Sequence, residues 1–466
     1  MILKPELRRA AREIFDAALK SVDARLAVRR AVEVDGSSLK VVETTLKLSK
    51  RGACIYVIAV GKAALSMAAA LDEILGEHIA AGLVVGPKAA GAPLASGVAT
   101  PFEALSSSAL WRIINGGHPL PNKASLIAAQ AAFALLARAE AERATVIFLI
   151  SGGGSAMIEW PRDDRITLRE LRAANRLLVS CGASIAEINS VRRAFSAVKG
   201  GGLAARAPHV NQLSLIVSDT GKGEEANVAS GPTLDPSKEC APDAGRVMER
   251  YGLASRLPLA ILRAINQPSI SKATPSRRVM RVSYVLLDNR QAMEAAARAA
   301  RKRGFAVELA RDIVEQPIEE GCTLILARLL ALHRRRQDER KGVCLISGGE
   351  FAGPVKGRGV GGRNSETALR CVIEIDERYA ESRNRARLPA QIIALSAGTD
   401  GIDGNSVAAG ALADQTTLER ARSLGLDARS FLSESDAYSF FNALGDCVVT
   451  GPTGTNVRDL RVLLAE

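Results

Sequence analysis

Ala144-Thr-Val-Ile-Phe-Leu-Ile150 runs directly into Ser151-Gly-Gly-Gly-Ser155. An apolar run of this length, rich in β-branched residues, predicts a buried strand, and the glycines behind it predict a tight turn at its carboxyl end. The same grammar recurs along the chain. Cys54-Ile-Tyr-Val-Ile-Ala-Val60 ends at Gly61, and an Ala-rich helical pattern follows from Ala63 to Leu75. Gln212 to Val217 ends in Ser218-Asp219, and Val282 to Leu287 ends in Asp288-Asn289 before a helix to Arg303. Val343 to Ile346 leads into Ser347-Gly-Gly-Glu350, Gln391 to Leu395 into Ser396-Ala-Gly-Thr-Asp400, and Cys447 to Val449 into Thr450-Gly-Pro-Thr-Gly-Thr455. Strands alternating with helices predict an α/β fold of mainly parallel sheets flanked by helices. Ligands of such sheets bind beyond the carboxyl ends of the strands. The Gly, Ser and Asp residues at those ends are therefore the candidate functional groups.

Apolar spacing at three and four predicts an amphipathic helix from Pro5 to Ala31. At 466 residues the chain is expected to form two domains, 1–238 and 239–466, with a boundary in the Pro- and charge-rich stretch Asp235 to Asp243. Pro268 to Arg277 and Arg335 to Gly342 read as irregular surface segments. Hydrophobic residues make up 47% and charged residues 24%, enough apolar material for large cores and against disorder.

The net charge of +12 suits anionic partners. Its longest basic run, His333-Arg334-Arg335-Arg336, closes an apolar stretch and reads as a solvated helix end, and aromatics at 4% leave few platforms for stacking bases, so no nucleic acid is expected. The seven cysteines are scattered without CxxC spacing and read as reduced thiols of a cytoplasmic protein. The four histidines never pair at metal-ligand spacing, which argues against zinc. No uncharged 18-residue apolar run is present, so no membrane partner is expected, and the charged N-terminus lacks a signal core. A homodimer is compatible with the sequence.

Three clusters have the makings of phosphate cradles. Glycine lets backbone N–H groups approach an anion closely, and a helix start adds unpaired donors. Gly152-Gly153-Gly154-Ser155 is one cluster, and Gly359-Val-Gly361-Gly362-Arg363, with a guanidinium able to fork onto phosphate, is another. Gly61-Lys62 is the third and places a cation where a transferring phosphoryl group gathers charge. Carboxylates stand at other strand ends: Asp219, Glu350, Asp400 and Asp403. These are candidates to meet Mg²⁺ or an attacking hydroxyl, or to act as helix caps and Asx turns. The P-loop G-x-x-x-x-G-K-S/T and the G-x-S-x-G elbow are absent. Gly357 to Gly362 matches G-x-G-x-x-G, but behind a Pro-containing segment rather than a strand.

Further stretches complete a series in chain order: Gly116-Gly-His-Pro-Leu-Pro121, Asn189-Ser-Val-Arg192 with Lys199-Gly-Gly201, Ala229-Ser-Gly-Pro-Thr233, Asn364 with Glu366, Gly398-Thr-Asp-Gly-Ile-Asp-Gly404, Asp436 with Tyr438, and Thr450 to Asn456. With them the chain resembles the glycerate 2-kinases that carry a C-terminal MOFRL domain, some of which are labelled hydroxypyruvate reductases. The resemblance implies a Rossmann-like N-terminal domain, a C-terminal domain with a MOFRL region at about 340–460, and an active site in the interdomain cleft. It implies ATP and Mg²⁺ as cofactors, and phosphoryl transfer to the 2-hydroxyl of glycerate to give 2-phosphoglycerate. It assigns Lys62 and Arg363 as catalytic cations. It places Gly61, Gly152, Gly153, Gly154, Ser155, Arg192, Asp219, Glu350, Asn364, Asp400 and Asp436 around substrate or nucleotide, with Asp219 toward the metal.

The chain departs from the family pattern at Gly223, Ala194, Gly202, Phe351, Ser365 and Val407, where the family has an acid, His, Arg, Thr, Gln and Asp. Two alternatives follow: a kinase paralogue with altered acceptor or lost activity, and an NAD(P)H-dependent hydroxypyruvate reductase. The latter needs a dinucleotide fingerprint at the first strand, which here ends in Val60-Gly61-Lys62.

Overall fold

The computed structural model describes residues 4–48, 54–87, 101–234, 242–267, 279–336, 342–381 and 388–466. The chain divides into two compact units, Ala24–Leu287 and Met1–Asp23 with Asp288–Glu466. The boundary expected at 238/239 lies outside the described residues. The division falls at 287/288 instead, because Arg281–Leu287 pairs with Gln212–Val217 as one sheet. The helix expected over Pro5 to Ala31 is two helices, Lys4–Ser21 and Ala24–Ala31. The break coincides with the passage of the chain from one unit to the other.

In the unit Ala24–Leu287, β1 (Val32–Asp35), β2 (Ser38–Val41) and β3 (Thr44–Lys47) form a small antiparallel sheet. The main sheet has β4 (Ile55–Val60), β5 (Ile79–Gly86), β6 (Trp111–Asn115), β7 (Thr145–Ser151), β8 (Gln212–Val217) and β9 (Arg281–Leu287). Its order is β6-β5-β4-β7-β8-β9, and every pairing is parallel. The chain winds outward from β4 in one direction and from β7 in the other. Such a reversal leaves a crevice at the carboxyl ends of the two central strands. β4 and β8 are buried at every residue, as strands covered on both faces must be.

The helix Lys123–Glu142 starts at an Asn122/Ser125 capping box and buries Ala128, Ala129, Ala132, Leu136 and Ala139. Among the described residues it is the helix long and apolar enough to cross a membrane. Its buried stripe recurs at three and four, and those residues belong to the core that also holds Tyr56, Ile58 and Phe148 of the sheet.

In the other unit, β10 (Ala306–Ala310), β11 (Val343–Gly349), β12 (Ile392–Gly398), β13 (Gly410–Asp414), β14 (Cys447–Val448) and β15 (Asp459–Ala465) form one sheet. The order is β10-β11-β15-β12-β13-β14. Here the expectation of mainly parallel pairing fails: β10–β11 is parallel, and the other four pairings are antiparallel. The cause is β15, which returns from the last loop and inserts between β11 and β12. Helix Arg363–Glu381 buries Ala368, Leu369, Cys371, Val372 and Ile375 in the cores of this unit.

Candidate active site

At the β4/β7 crevice, two backbone turns are locked together. Lys62 N–H donates to Gly152 O at 2.9 Å, and Ala63 N–H donates to Ser151 Oγ at 3.0 Å. Gly61 has φ +114°, and a Cβ there would stand 2.3 Å from Ser151 O. Glycine is therefore obligatory for this approach. A Cβ on Gly153 would lie 3.1 Å from Lys62 Cγ and 3.4 Å from Lys62 Cε. The aliphatic stem of Lys62 thus lies across Gly153, and the sequence-predicted Gly61, Lys62, Gly152, Gly153, Gly154 and Ser155 come together. Among the described residues, no acceptor bonds the N–H groups of Gly152 and Gly153. A half-buried lysine beside such donors can hold a transferring phosphoryl group.

A strained turn supports this loop from behind. Ala229, Ser230 and Gly231 all have positive φ, at 51°, 61° and 66°. Two of these are not glycine, a costly conformation that surrounding bonds must maintain. They do so here. Gly200 N–H donates to Ser230 O at 3.1 Å, Gly201 N–H donates to Gly231 O at 2.7 Å, and Arg193 Nη2 donates to Ala226 O at 2.8 Å. The turn aims Ser230 Oγ at Ser155 Oγ, 2.7 Å away, and at Asn189 Oδ1, 2.8 Å away. Asn189 and Ser230 carry no local sequence signal for this contact, because their proximity is tertiary.

Arg192 donates through Nε to Asn175 Oδ1 at 2.9 Å. Burial lowers its pKa, against the opposing pull of the Glu159 carboxylate. Glu159 forms a fully buried ion pair with Lys199 and accepts from Ser196 Oγ at 2.5 Å and from Trp160 N–H at 3.0 Å. Burial pulls the Lys199 ammonium below its ordinary value, while Glu159 opposes that shift. Gly202 cannot carry the family's arginine here without movement, since a Cβ would meet Ala197 O at 2.4 Å.

Asp219 is half-buried just beyond β8, the neighbour of β7. The described residues hold no group of three His, Cys, Asp or Glu arranged for a metal. A magnesium ion bound mainly by substrate phosphates asks for less, one or two carboxylates, and Asp219 fits that need.

In the other unit, Arg363 opens the helix Arg363–Glu381. Its Nε and Nη2 both donate to the Asp459 carboxylate, and Nη2 lies 2.8 Å from Glu350 Oε1. Asp459 is buried, at the start of β15, and Glu350 directly follows β11. Burial pulls the guanidinium pKa down, but Asp459 and Glu350 outweigh it and hold Arg363 above its ordinary value. The fork expected to grip phosphate is therefore occupied. Nη1 is the nitrogen that no described acceptor engages.

The glycine loop before Arg363 is also closed as a cradle. Gly362 N–H, Asn364 N–H and Ser365 N–H donate to the Asp403 carboxylate at 3.1, 2.9 and 2.8 Å, and Ser365 Oγ donates at 2.6 Å. Val360 N–H donates to Asp436 Oδ1 at 2.8 Å, and Gly361 N–H donates to Asn405 Oδ1 at 2.8 Å. Asp403 and Asp436 are thus loop anchors: Asp403 caps the start of a helix from 38 to 41 residues downstream of the N–H groups it binds. Burial raises the Asp403 pKa, opposed by its Ser365 and Asn364 bonds. Asn364 Oδ1 accepts from Ser396 Oγ at 2.7 Å, and Asp400 Oδ1 accepts from Ile402 N–H at 3.1 Å as an Asx turn.

Two departures from the family pattern have structural roles. Ser365 joins the Asp403 cap, and the buried Phe351 ring lies 3.5 Å under the Arg461 guanidinium. Arg461, fully buried in β15, donates to Ser347 Oγ and to the Gly348 and Gly349 carbonyls at 2.7, 2.6 and 3.0 Å. Asp459 and Arg461 were missed in the sequence. Their signal is two charges at alternate positions of an otherwise apolar run.

Residues 10–266 match the family model described as "Domain of unknown function (DUF4147)", and residues 343–459 match the MOFRL family. Glycerate kinase of Rattus norvegicus is 32% identical over 98% of this chain and 93% of its own length. D-glycerate 2-kinase of Thermotoga maritima is 33% identical over 93% of this chain and 95% of its own length. The crystal structure of a glycerate kinase from Thermotoga maritima superposes with a TM-score of 0.74 at 30% identity, covering 99% of this chain and 100% of that one. The chain belongs to the glycerate kinase family in which a DUF4147 region and a MOFRL region follow one another in one polypeptide.

Proposed function

We propose that the chain is an ATP-dependent phosphotransferase acting on an alcohol, a glycerate 2-kinase that yields 2-phosphoglycerate. The observation that carries this reading is the Lys62 side chain laid across Gly153 at the switch point of a parallel sheet. The names of the relatives supply the acceptor. In the reaction the 2-hydroxyl oxygen bonds to the γ-phosphorus and gives up its proton to solvent, the bond from phosphorus to the β–γ bridging oxygen breaks, and ADP leaves. Charge spreads over the γ-oxygens in such transfers, so positioning and electrostatics do most of the work. Lys62 supplies a cation to those oxygens, and Gly152 and Gly153 supply backbone donors. Arg363, held by Asp459 and Glu350, supplies the second cation through Nη1. Magnesium, carried on the nucleotide, would be met by Asp219 and would neutralise phosphate charge.

The test is ADP release by the purified chain with ATP, Mg²⁺ and a panel of D-glycerate, L-glycerate and other 2-hydroxy acids. Phosphorus NMR then reports which hydroxyl is esterified. Turnover is expected with glycerate, with the phosphate on carbon 2. Absence of turnover with every acceptor would overturn the reading, and a 3-phosphate product would overturn its regiochemistry.

A further inference from the structure

A cavity of about 330 Å³ opens beside Arg363, within the same unit. Its uncharged walls combine the aliphatic side chains of Ile318, Pro354, Val355, Leu432 and Ala437 and several glycines with Asn405 and Ser435, whose polar atoms already bond the backbone of Gly361, Gly359 and Lys356. Two charged residues line it, Arg363 and Glu366, one of each sign. Glu366 also accepts from Arg370 Nε at 2.8 Å.

These walls suit some ligands and reject others. A small hydroxy acid carries a full charge on few atoms and needs donors. Five of the nearby backbone donors are already engaged: Val360, Gly361, Gly362, Asn364 and Ser365 give their N–H groups to Asp436, Asn405 and Asp403. The buried Asp403 carboxylate behind Gly362 adds negative charge where an anion would sit. A phosphate deep in this cavity is therefore disfavoured. A flat, uncharged, largely apolar group is favoured, since glycine faces and aliphatic side chains bury it without leaving polar groups unpaired. An anionic tail on that group would leave at the Arg363 edge.

We propose that this cavity is the subsite for the nucleoside end of the phosphoryl donor. The proposal rests on the kinase reading above and adds the part of the molecule that recognises the donor's uncharged end.

Photolabelling of the full chain with 8-azidoadenosine triphosphate, followed by peptide mapping, tests it. Label is expected in peptides spanning residues 353–366 or 428–437, and both ATP and adenosine are expected to protect against it. Label confined to other peptides, or no ATP-protected label, overturns the subsite. Leu432→Trp and Val355→Trp, which narrow the cavity from a short helix and from its exposed rim, give a second readout. They are expected to raise KM for ATP by about tenfold or more, with KM for the acceptor little changed and melting temperature retained. An unchanged KM for ATP in both folded variants also overturns the proposal. The two readings fail separately. Turnover without label at these peptides sinks the subsite alone. Label there without turnover on any acceptor sinks the transfer reaction and leaves a nucleoside site.

Discussion

At the scale of single residues, the two cations are held in different ways. Lys62 packs its stem on a glycine, whereas Arg363 is fixed by Asp459 and Glu350. Holding a guanidinium from one edge costs it freedom but orients the other edge. Asp459→Asn is expected to destabilise the chain toward the low end of the about 3–5 kcal/mol typical of a broken buried pair, because the Arg363 side chain is 39% exposed. It is also expected to lower kcat more than it raises KM. Thermal melting and steady-state kinetics check both, and a variant with unchanged kcat would remove Asp459 from the account. The Glu159–Lys199 pair is enclosed on both sides, at 1% exposure each. Glu159→Gln is expected to cost the full range of about 3–5 kcal/mol. Replacing both partners together by Leu and Met is expected to recover most of it, and a double variant no more stable than the single would contradict that.

At the scale of elements, close backbone approach decides where the chemistry can be. Gly61→Ala would drive a Cβ into Ser151 O at 2.3 Å with φ at +114°, whereas Gly36 has φ +54° and nothing within 4 Å. Gly36→Ala is expected to cost about 1–2 kcal/mol, the left-handed backbone penalty alone. Gly61→Ala is expected to lower melting temperature further and to abolish most turnover, and equal effects of the two would contradict the locked-turn geometry. The N-terminal helix Lys4–Ser21 is tied to its own unit by Arg8, which bonds both Asp414 and Asp446. Burial raises the Asp414 pKa, but bonds from Thr416 and Arg8 outweigh it and leave it below its ordinary 3.8. A depressed carboxylate pKa stabilises the fold above the unfolded value and loses that contribution as pH falls through the folded value. Hydrogen-exchange protection of this helix is therefore expected to drop below about pH 4, and protection that is flat into acid would contradict the tie.

The strands show how far pattern reaches. β4, β7 and β8 were legible because parallel strands covered on both faces are continuous apolar runs. β5 was not, since Gly82 interrupts it to let the Trp111 ring lie 2.2 Å from where a Cβ would be. β13, Gly410-Ala-Leu-Ala-Asp414, is built of small residues, and β15 hides Arg461 in its centre. The glycine clusters announced Lys62 and its loop. Asp459, which grips Arg363 from β15, and the Asp403 cap lie 96 and 38 to 41 residues from their partners in sequence, and no local pattern encodes such pairs.

At the scale of the whole molecule, the family assignment and the chemistry at the parallel sheet point the same way. β4 ends in Gly61-Lys62 and not in a dinucleotide fingerprint. NADH with hydroxypyruvate is accordingly expected to give no oxidation above background, and enzyme-dependent loss of NADH absorbance would revive the reductase alternative. The departures at Phe351 and Ser365 are absorbed by packing and capping within one unit. They leave Lys62 and its glycine loop intact in the other. In the proposed reaction, phosphoryl transfer depends on Lys62 lying across Gly153. The most direct test of this dependence is kcat for Lys62→Ala with saturating ATP and D-glycerate. A loss of about 10²-fold or more with the melting temperature unchanged is the expected result, and turnover as fast as that of the unaltered chain would contradict it.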